Sequence, residues 1–384
     1  MVKLYCSFYR NNHCRGIVTV MSRKIFIAAT GMNAGKTTIS VSLMHLARKK
    51  YGRVGFIKAV GPKCQVFNGI TVDKDAALMA RIFGLGEDIA HMSPVVLGRG
   101  STKKFIDGEI PALWPVERIT EAVAALEKKN DFLIIEGSGH GGVGSVIGLN
   151  NARVAKITGA PVILVSGGGI GNVIDSVQLN LPLYRMEEVP VKALLVNKLL
   201  PEKRETSLSY LGRSFKPFGI EVIGAFDWSP VLANPTLNHI SRLLEHPLRG
   251  DQTQGTRIVH HIQLGAASSQ KVIDGLEQST LLVVTSSRDE LLVTISSLYH
   301  IPAYREKIAG LVIPGHAPVS AITQQILDGS NIPVIRIHET TADVFSAMKH
   351  HVSKISAEDT EKIELVKAQA EEILDFDHLD SLLD

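Results

Sequence analysis

The sequence contains little that would place it in a membrane, on a nucleic acid or outside the cell. Its three cysteines, Cys6, Cys14 and Cys64, cannot all pair with one another and show no Cys-x-x-Cys spacing of a zinc site. No apolar run approaches the roughly 18 residues of a membrane-spanning helix. The net charge is only +3, without a lysine or arginine block, so neither a membrane surface nor a nucleic acid is an expected partner. We expect a reducing, cytoplasmic setting.

The composition is that of an ordinary globular protein, with 45% hydrophobic and 21% charged residues. A chain of 384 residues is long enough for two or three domains. Residues 1–21 differ from the rest because they carry basic residues but no acid, and the apolar stretch 16–20 is too short for a secretory signal. We predict that residues 1–21 form a disordered extension.

The most informative stretch is residues 30–38, Thr-Gly-Met-Asn-Ala-Gly-Lys-Thr-Thr. It follows the apolar run 24–29 and precedes a segment with helical spacing of apolar residues, which is the context of a phosphate-binding loop. Backbone N–H groups at the start of a helix attract phosphate. The alternative is a turn before a capped helix with an incidental lysine. The candidate ATP-binding residues are Gly31, Asn33, Ala34, Gly35, Lys36, Thr37 and Thr38, with Thr37 also holding Mg²⁺.

Further apolar, β-branched runs predict parallel strands covered on both faces. In the first domain they lie at 54–62, 132–137, 161–167 and 191–197. We therefore predict an α/β fold with a doubly wound parallel sheet at 22–226, and a second, smaller α/β domain at 230–354. Residues 355–384 are predicted to be a helical segment, whereas 91–108, with three glycines, are predicted to be a loop.

Polar residues follow several of these predicted strands and could share one site, since ligands bind at the carboxyl ends of parallel strands. Lys58 could neutralise charge on a phosphoryl group. Asp75 and Glu136 could coordinate Mg²⁺, and the Asn197 amide could pair with a base edge. Each could instead be a solvated strand end, and Asp75 could simply satisfy a helix N-terminus.

Two other loops are glycine-rich. Residues 139–144 formally match Gly-x-Gly-x-x-Gly, but the stretch about twenty residues on is apolar instead of acidic, which argues against a dinucleotide site. We interpret this segment as a flexible substrate loop. We interpret residues 167–171 as a similarly mobile turn, with contact to a ligand left open.

The motifs at 30–37, 56–58, 73–78, 134–139 and 196–198 are similar, in order and spacing, to the dethiobiotin synthetase superfamily of P-loop NTPases. The sequence particularly resembles the dethiobiotin-synthetase-like domain at the N-terminus of long phosphotransacetylases. Segments 282–289 and 310–315 resemble the DRTGG domain that follows it there. The resemblance implies that Lys36, Thr37 and Lys58 bind phosphates, Asp75 and Glu136 bind Mg²⁺, and Asn197 binds adenine. It also implies possible self-association.

Two functions remain open. The first is a nucleotide-responsive regulatory protein, because segment 91–108 lacks the loop that holds the diamino acid in true dethiobiotin synthetases. The second is an ATP-dependent ligase that activates a carboxylate or carbamate as an acyl phosphate, with Lys36 and Lys58 as catalytic lysines. In that case residues 101–107 would hold the small anionic substrate.

Overall fold

The structure is a computed structural model that describes residues 22–349 and 353–384. The prediction for residues 1–21 therefore lies outside the described residues. Within the two described ranges, no helix combines the length and the apolar character that crossing a membrane requires.

The first α/β unit is built on strands that coincide with the apolar runs of the sequence. In β1 (Arg23–Ala29) the last five residues are all buried, as expected for a strand covered on both faces. The other strands of this unit are β2 (Val54–Lys58), β3 (Val60–Gly61), β4 (Cys64–Phe67), β5 (Ile70–Asp73), β6 (Val95–Val96), β7 (Phe132–Glu136), β8 (Val162–Gly167), β9 (Val191–Leu199) and β10 (Glu221–Asp227).

Six of these strands form one parallel sheet in the order β10-β9-β8-β1-β7-β2. Strand β1 is central, with Phe26 opposite both Ile135 of β7 and Val162 of β8. The chain passes from β7 on one side of β1 to β8 on the other, and open parallel sheets bind ligands where the strand order changes direction in this way. The predicted doubly wound parallel sheet is confirmed.

Helices cover both faces of this sheet. They are α1 (Lys36–Lys50), α2 (Lys74–Phe83), α3 (Ile89–Met92), α4 (Ser101–Ile106), α5 (Trp114–Glu127), α6 (Asn151–Thr158), α7 (Ile170–Met186) and α8 (Arg204–Phe215). Helices α1 and α2 contribute to the core on one face, and α5 to α8 to the core on the other. The loop predicted over 91–108 is wrong in part, because α4 forms there between Gly100, its left-handed N-cap, and Gly108.

The second unit is smaller, as predicted, and its sheet is mixed. Its strands are β11 (Leu248–Arg249), β12 (His261–Leu264), β13 (Thr280–Val283), β14 (Ile308–Ile313) and β15 (Val334–Arg336), in the order β11-β15-β14-β13-β12. Only the β11–β15 pair is antiparallel. The helices are α9 (Pro230–Ala233), α10 (Leu237–Leu243), α11 (Ser269–Asp274), α12 (Asp289–Leu298), α13 (Pro302–Lys307), α14 (Ala321–Ser330) and α15 (Thr341–Lys349).

The C-terminal segment returns to the first unit. Helices α16 (Thr360–Ile373) and α17 (Phe376–Ser381) pack on the face of the large sheet that α1 also covers. Val366 and Ala370 of α16 are fully buried in that core. Glu371 of α16 accepts hydrogen bonds from His45 and Lys49 of α1 at 2.6 and 2.5 Å. The helix that begins at the phosphate loop is thus packed against chain that follows the second unit.

Lys362, at the start of α16, joins the two units. Its side chain is buried, and its ammonium donates to the backbone carbonyl of Asn234 and, at 3.1 Å, to the Ser353 hydroxyl. Asn234 lies just before α10, the first long helix of the second unit. The buried ammonium therefore ties the chain that enters the second unit to the chain that leaves it.

Candidate functional site

The predicted phosphate loop connects the centre of the large sheet to α1. Strand β1 ends at Ala29, and Lys36 is the first residue of α1. Gly35 adopts φ +99°, which L side chains rarely tolerate, and a Cβ built on it would lie 1.9 Å from Nδ2 of Asn197. The loop therefore requires glycine at position 35. Residues Gly31, Asn33, Ala34, Gly35, Lys36, Thr37 and Thr38 all lie in this loop or in the first turn of α1.

The Lys36 side chain folds back over the loop and donates a hydrogen bond to the backbone carbonyl of Gly139. Only 8% of Lys36 is exposed. Burial, followed by repulsion from Lys58, lowers the pKa of Lys36 to about 8. The carbonyl of Gly139 carries no net charge, so a phosphate would be a stronger partner for this ammonium.

Lys58 lies between the two predicted carboxylates, where β2 and β7 end side by side. Its ammonium is 2.6 Å from Glu136 and 2.8 Å from Asp75, and it also donates to the carbonyl of Gly137 at 2.9 Å. Glu136 is fully buried, and 14% of the Asp75 side chain is exposed. The structure thus brings Lys58, Asp75 and Glu136 into direct contact, with Lys36 close enough to interact electrostatically with all three.

The pKa values in this cluster follow from burial and charge pairing. Burial acts to raise the pKa of Asp75, but the charge and hydrogen bond of Lys58, together with Lys354 and Glu136, lower the pKa to about 2. Burial raises the pKa of Glu136 against the opposing effect of Lys58. For Lys58, burial acts to lower the pKa, but the charges of Glu136 and Asp75 together hold it above the ordinary value. Lys58 and Asp75 are therefore both ionised at neutral pH.

Two residues that support this cluster were missed by the sequence reasoning. Ser40 donates a hydrogen bond of 2.6 Å to Glu136. Its position four residues after Lys36 places it on the same face of α1, and that spacing could have revealed it. Asp73 caps α2 by accepting from the N–H of Asp75 at 2.8 Å. Asp75 is thereby fixed in the first turn of α2, and the side chain that caps this helix is that of Asp73, not of Asp75.

Asn197 lies near the end of β9 and packs against the phosphate loop. Its amide donates to the carbonyl of Ala34 at 2.9 Å, and its side-chain oxygen accepts from the N–H of Lys198. The Lys198 ammonium, also missed, donates to the carbonyl of Asn33 at 2.8 Å. In this arrangement Asn197 braces the loop, and its contact with adenine stays a prediction.

Comparison with known proteins assigns this chain to a family. The AAA domain family AAA_26 matches residues 23–236, more than half of the chain. The chain belongs to the AAA_26 family. A DRTGG domain matches residues 243–351, so the resemblance stated from the sequence is confirmed for both units. Below, the first unit is called the AAA_26 domain and the second the DRTGG domain.

Relatives of known activity match at low identity. The phosphate acetyltransferase of Nitratidesulfovibrio vulgaris is 23% identical over 376 residues, which are 94% of this chain and 52% of that protein. The ATP-dependent dethiobiotin synthetase of Thermodesulfovibrio yellowstonii is 26% identical over 197 residues, which are 48% of this chain and 80% of that enzyme. The chain thus spans about half the length of the phosphate acetyltransferases that it matches.

Solved structures also match this chain. A nucleotide-binding protein from Archaeoglobus fulgidus in complex with ADP is 14% identical, with a TM-score of 0.31, and covers 55% of this chain and 83% of its own. The MinD cell division protein of Aquifex aeolicus, also 14% identical, has a TM-score of 0.34 and covers 55% of this chain and 84% of its own.

The donor set of the AAA_26 site suits Mg²⁺. The carboxylates of Asp75 and Glu136 and the hydroxyl of Thr37 supply only oxygen, the ligand type that Mg²⁺ prefers. Across 22–349 and 353–384, no group of three or more His, Cys, Asp or Glu side chains could hold a metal ion. Asp75, Glu136 and Thr37 would supply only part of the octahedral shell of Mg²⁺, so nucleotide oxygens and water would complete it, as is usual at phosphate-transfer sites.

The glycine-rich segment 139–144 contacts the site directly, because the carbonyl of Gly139 accepts a hydrogen bond from the ammonium of Lys36. Asn180 of α7 fixes the neighbouring part of this loop by accepting from the N–H of Gly141 at 2.9 Å.

Helix α4, which carries most of the predicted substrate segment 101–107, contacts the turn at 145–147 and exposes Lys103 and Lys104. Its role in holding an anion stays a prediction.

Proposed function

We propose that the AAA_26 domain binds ATP with Mg²⁺ and that the DRTGG domain responds to the bound nucleotide. The observation that carries the proposal is the meeting of Lys58, Asp75 and Glu136 beside the Lys36 end of the phosphate loop, with contacts of 2.6 and 2.8 Å. Isolated strand-end charges would be solvated and separate. Here they are buried, mutually paired and aligned with the start of α1, where anions are favoured.

In the nucleotide complex, Lys36 would exchange the carbonyl of Gly139 for the terminal phosphates. Thr37 would hold Mg²⁺ directly, and Asp75 and Glu136 would do so directly or through water. Lys58 would neutralise charge on the terminal phosphate. The similarity to a protein named as an ATP-dependent synthetase supports the choice of nucleotide.

The link to the DRTGG domain would run through α1 and α16. Glu371 joins these helices through His45 and Lys49, and Lys362 joins α16 to Asn234 at the entrance to the DRTGG domain. A shift of α1 on nucleotide binding would therefore reach the DRTGG domain through packed and hydrogen-bonded groups.

Nucleotide binding is tested by isothermal titration calorimetry of the full chain with a non-hydrolysable ATP analogue and Mg²⁺. We expect saturable binding that weakens at least about tenfold in Lys36→Ala, because charge-assisted hydrogen bonds are lost. Lys128→Ala, which removes an exposed lysine at the end of α5, is the matched control and should bind as the wild type does. Equal affinity in both variants would refute the proposed site.

The relay is tested by amide hydrogen exchange with and without the nucleotide. We expect slower exchange in α16 and around residue 234 in the complex. Glu371→Gln should reduce this effect in the DRTGG domain while nucleotide affinity is retained. Glu364→Gln on the same helix is the control, because Glu364 is exposed and pairs with Lys367 of α16 itself. An identical exchange pattern in both variants would refute the relay.

A second candidate is an ATP-dependent ligase that forms an acyl phosphate. It is favoured by the burial and ionisation of Lys58, which presents a fixed positive charge next to the terminal phosphate position. The test measures ADP release across carboxylate and amine substrates. Substrate-dependent release that disappears in the folded Lys58→Ala variant would establish the ligase, whereas ATP binding without product supports the regulatory function.

A further inference from the structure

The DRTGG domain contains a cavity that the nucleotide site does not use. Its volume is about 330 Å³, and all its lining residues lie between positions 249 and 338. Ile313 and Arg336, the last residues of the parallel strands β14 and β15, both line it. Carboxyl ends of parallel strands are where open α/β sheets bind ligands, and the volume lies in the range of small-molecule pockets.

The charged groups around the cavity are mainly cationic. Arg249 and Arg336 contribute two guanidinium groups, and the imidazole rings of His316 and His338 also line the cavity. Asp328 is the acidic residue among the lining side chains, and one of its oxygens accepts a hydrogen bond of 2.8 Å from Gln324. The balance of charge therefore favours an anionic ligand.

The positive charge of Arg336 is not cancelled by the groups that accept its hydrogen bonds. Its guanidinium donates to the backbone carbonyls of Ile313, Ala317 and Ile337 at 2.6 to 2.7 Å. These carbonyls are neutral, so the charge remains available while the planar group is held in place. A rigid guanidinium of this kind matches the geometry of phosphate oxygens.

The remaining surface suits a flat, partly apolar body. The rings of His316 and His338 are nearly parallel, with an interplanar angle of 12° and centroids 6.1 Å apart. Imidazole faces stack on other planar rings. The apolar part of the wall comes from Ile313, Pro318, Val319, Leu327, Ile332 and Val334.

We propose that this cavity binds a small phosphate monoester that carries a planar ring. Arg249 and Arg336 hold the phosphate, and the imidazoles of His316 and His338 lie against the ring. Arg249 is an exposed residue of the edge strand β11, whereas Arg336 ends the neighbouring strand β15. The proposal concerns residues of the DRTGG domain alone and does not depend on nucleotide binding at Lys36.

The test is isothermal titration calorimetry of the full chain with AMP as the probe. The titration is done in the Lys36→Ala variant, so that binding at the phosphate loop is weakened. Adenosine offers the same ring without charge, and inorganic phosphate offers the charge without the ring. We expect AMP to bind at millimolar concentration or below, and at least about tenfold more tightly than either fragment.

Adding Arg249→Ala to the Lys36→Ala variant tests whether AMP binds in this cavity. The side chain is exposed, so the fold is expected to persist, and AMP affinity should fall at least about tenfold. Lys271→Ala, an equal change of charge on α11 of the same domain and outside the cavity, is the control and should leave AMP affinity unchanged. Absence of AMP binding, equal affinity for adenosine or for inorganic phosphate, or an equal effect of the two substitutions would overturn the proposal.

Discussion

Replacing Lys58 by methionine would expose how the site is balanced. Methionine fills a similar volume but leaves Glu136 and Asp75 facing each other without the ammonium that now lies 2.6 and 2.8 Å from them. Because Glu136 is fully buried, water cannot replace the lost partner. Breaking a buried ion pair by removing one member costs about 3–5 kcal/mol. We expect Lys58→Met to lower the free energy of unfolding at pH 7 by about this amount.

The loss should depend on pH in a definite direction. Without Lys58, the pKa of Glu136, already raised by burial, rises further. A carboxyl group whose pKa is raised by folding stabilises the fold while protonated and loses that contribution as pH rises through its folded pKa. The difference in free energy of unfolding between Lys58→Met and the wild type should therefore become smaller as the pH is lowered from 7 to 5.

Urea denaturation at both pH values measures this effect. Adding Glu136→Gln to Lys58→Met removes one of the two facing charges and should recover about 1–3 kcal/mol at pH 7. Lys128→Met, at an exposed position, is the control and should change stability by no more than about 0.5 kcal/mol. A loss below about 1 kcal/mol in Lys58→Met, or a loss that does not change with pH, would refute the reasoning.

Three further predictions concern the phosphate loop and the joint between domains. Gly35→Ala should destabilise the fold by about 2–4 kcal/mol in denaturation experiments, because its Cβ would displace Asn197 and its φ is strained; adding Asn197→Ala should not increase the loss additively. ATP affinity should fall as pH rises above 8, where Lys36 loses its proton, whereas Lys36→Arg should give a flat profile in calorimetry at pH 7 to 9. Lys362→Met removes the donor of the partly buried hydrogen bond to the carbonyl of Asn234, and should lower stability by about 1–3 kcal/mol and speed proteolysis between the domains; unchanged proteolysis would contradict the role of this ammonium.

Much of the site could be predicted because it depends on local position. Lys58 and Glu136 are the last residues of β2 and β7, within apolar runs of the sequence, and parallel strands bring such residues to one edge of the sheet. Asp75 lies in the first turn of α2, at a helix N-terminus that the sequence also indicates. The direct contact of Glu136 with Lys58 follows from the adjacency of β2 and β7, which is a property of the topology. Asp75 reaches Lys58 from the first turn of α2.

Other features could not be read from the sequence because they join distant segments. The helical character of residues 355–384 was predicted, but not the packing of α16 on α1, which are separated by the entire DRTGG domain. The contact between Lys36 and Gly139 depends on the path of a glycine-rich loop with no regular periodicity. Helix α4 cannot be read from the sequence because the glycines on either side of it, Gly100 and Gly108, are typical of a continuous loop.

The most direct measurement is a crystal structure of the full chain with Mg²⁺ and a non-hydrolysable ATP analogue. We predict that Lys36 leaves the carbonyl of Gly139 and lies about 3 Å from a terminal phosphate oxygen. Mg²⁺ should bind the Thr37 hydroxyl, with Asp75 and Glu136 coordinating directly or through water. A nucleotide bound elsewhere, with Lys36 still on Gly139, would contradict the account.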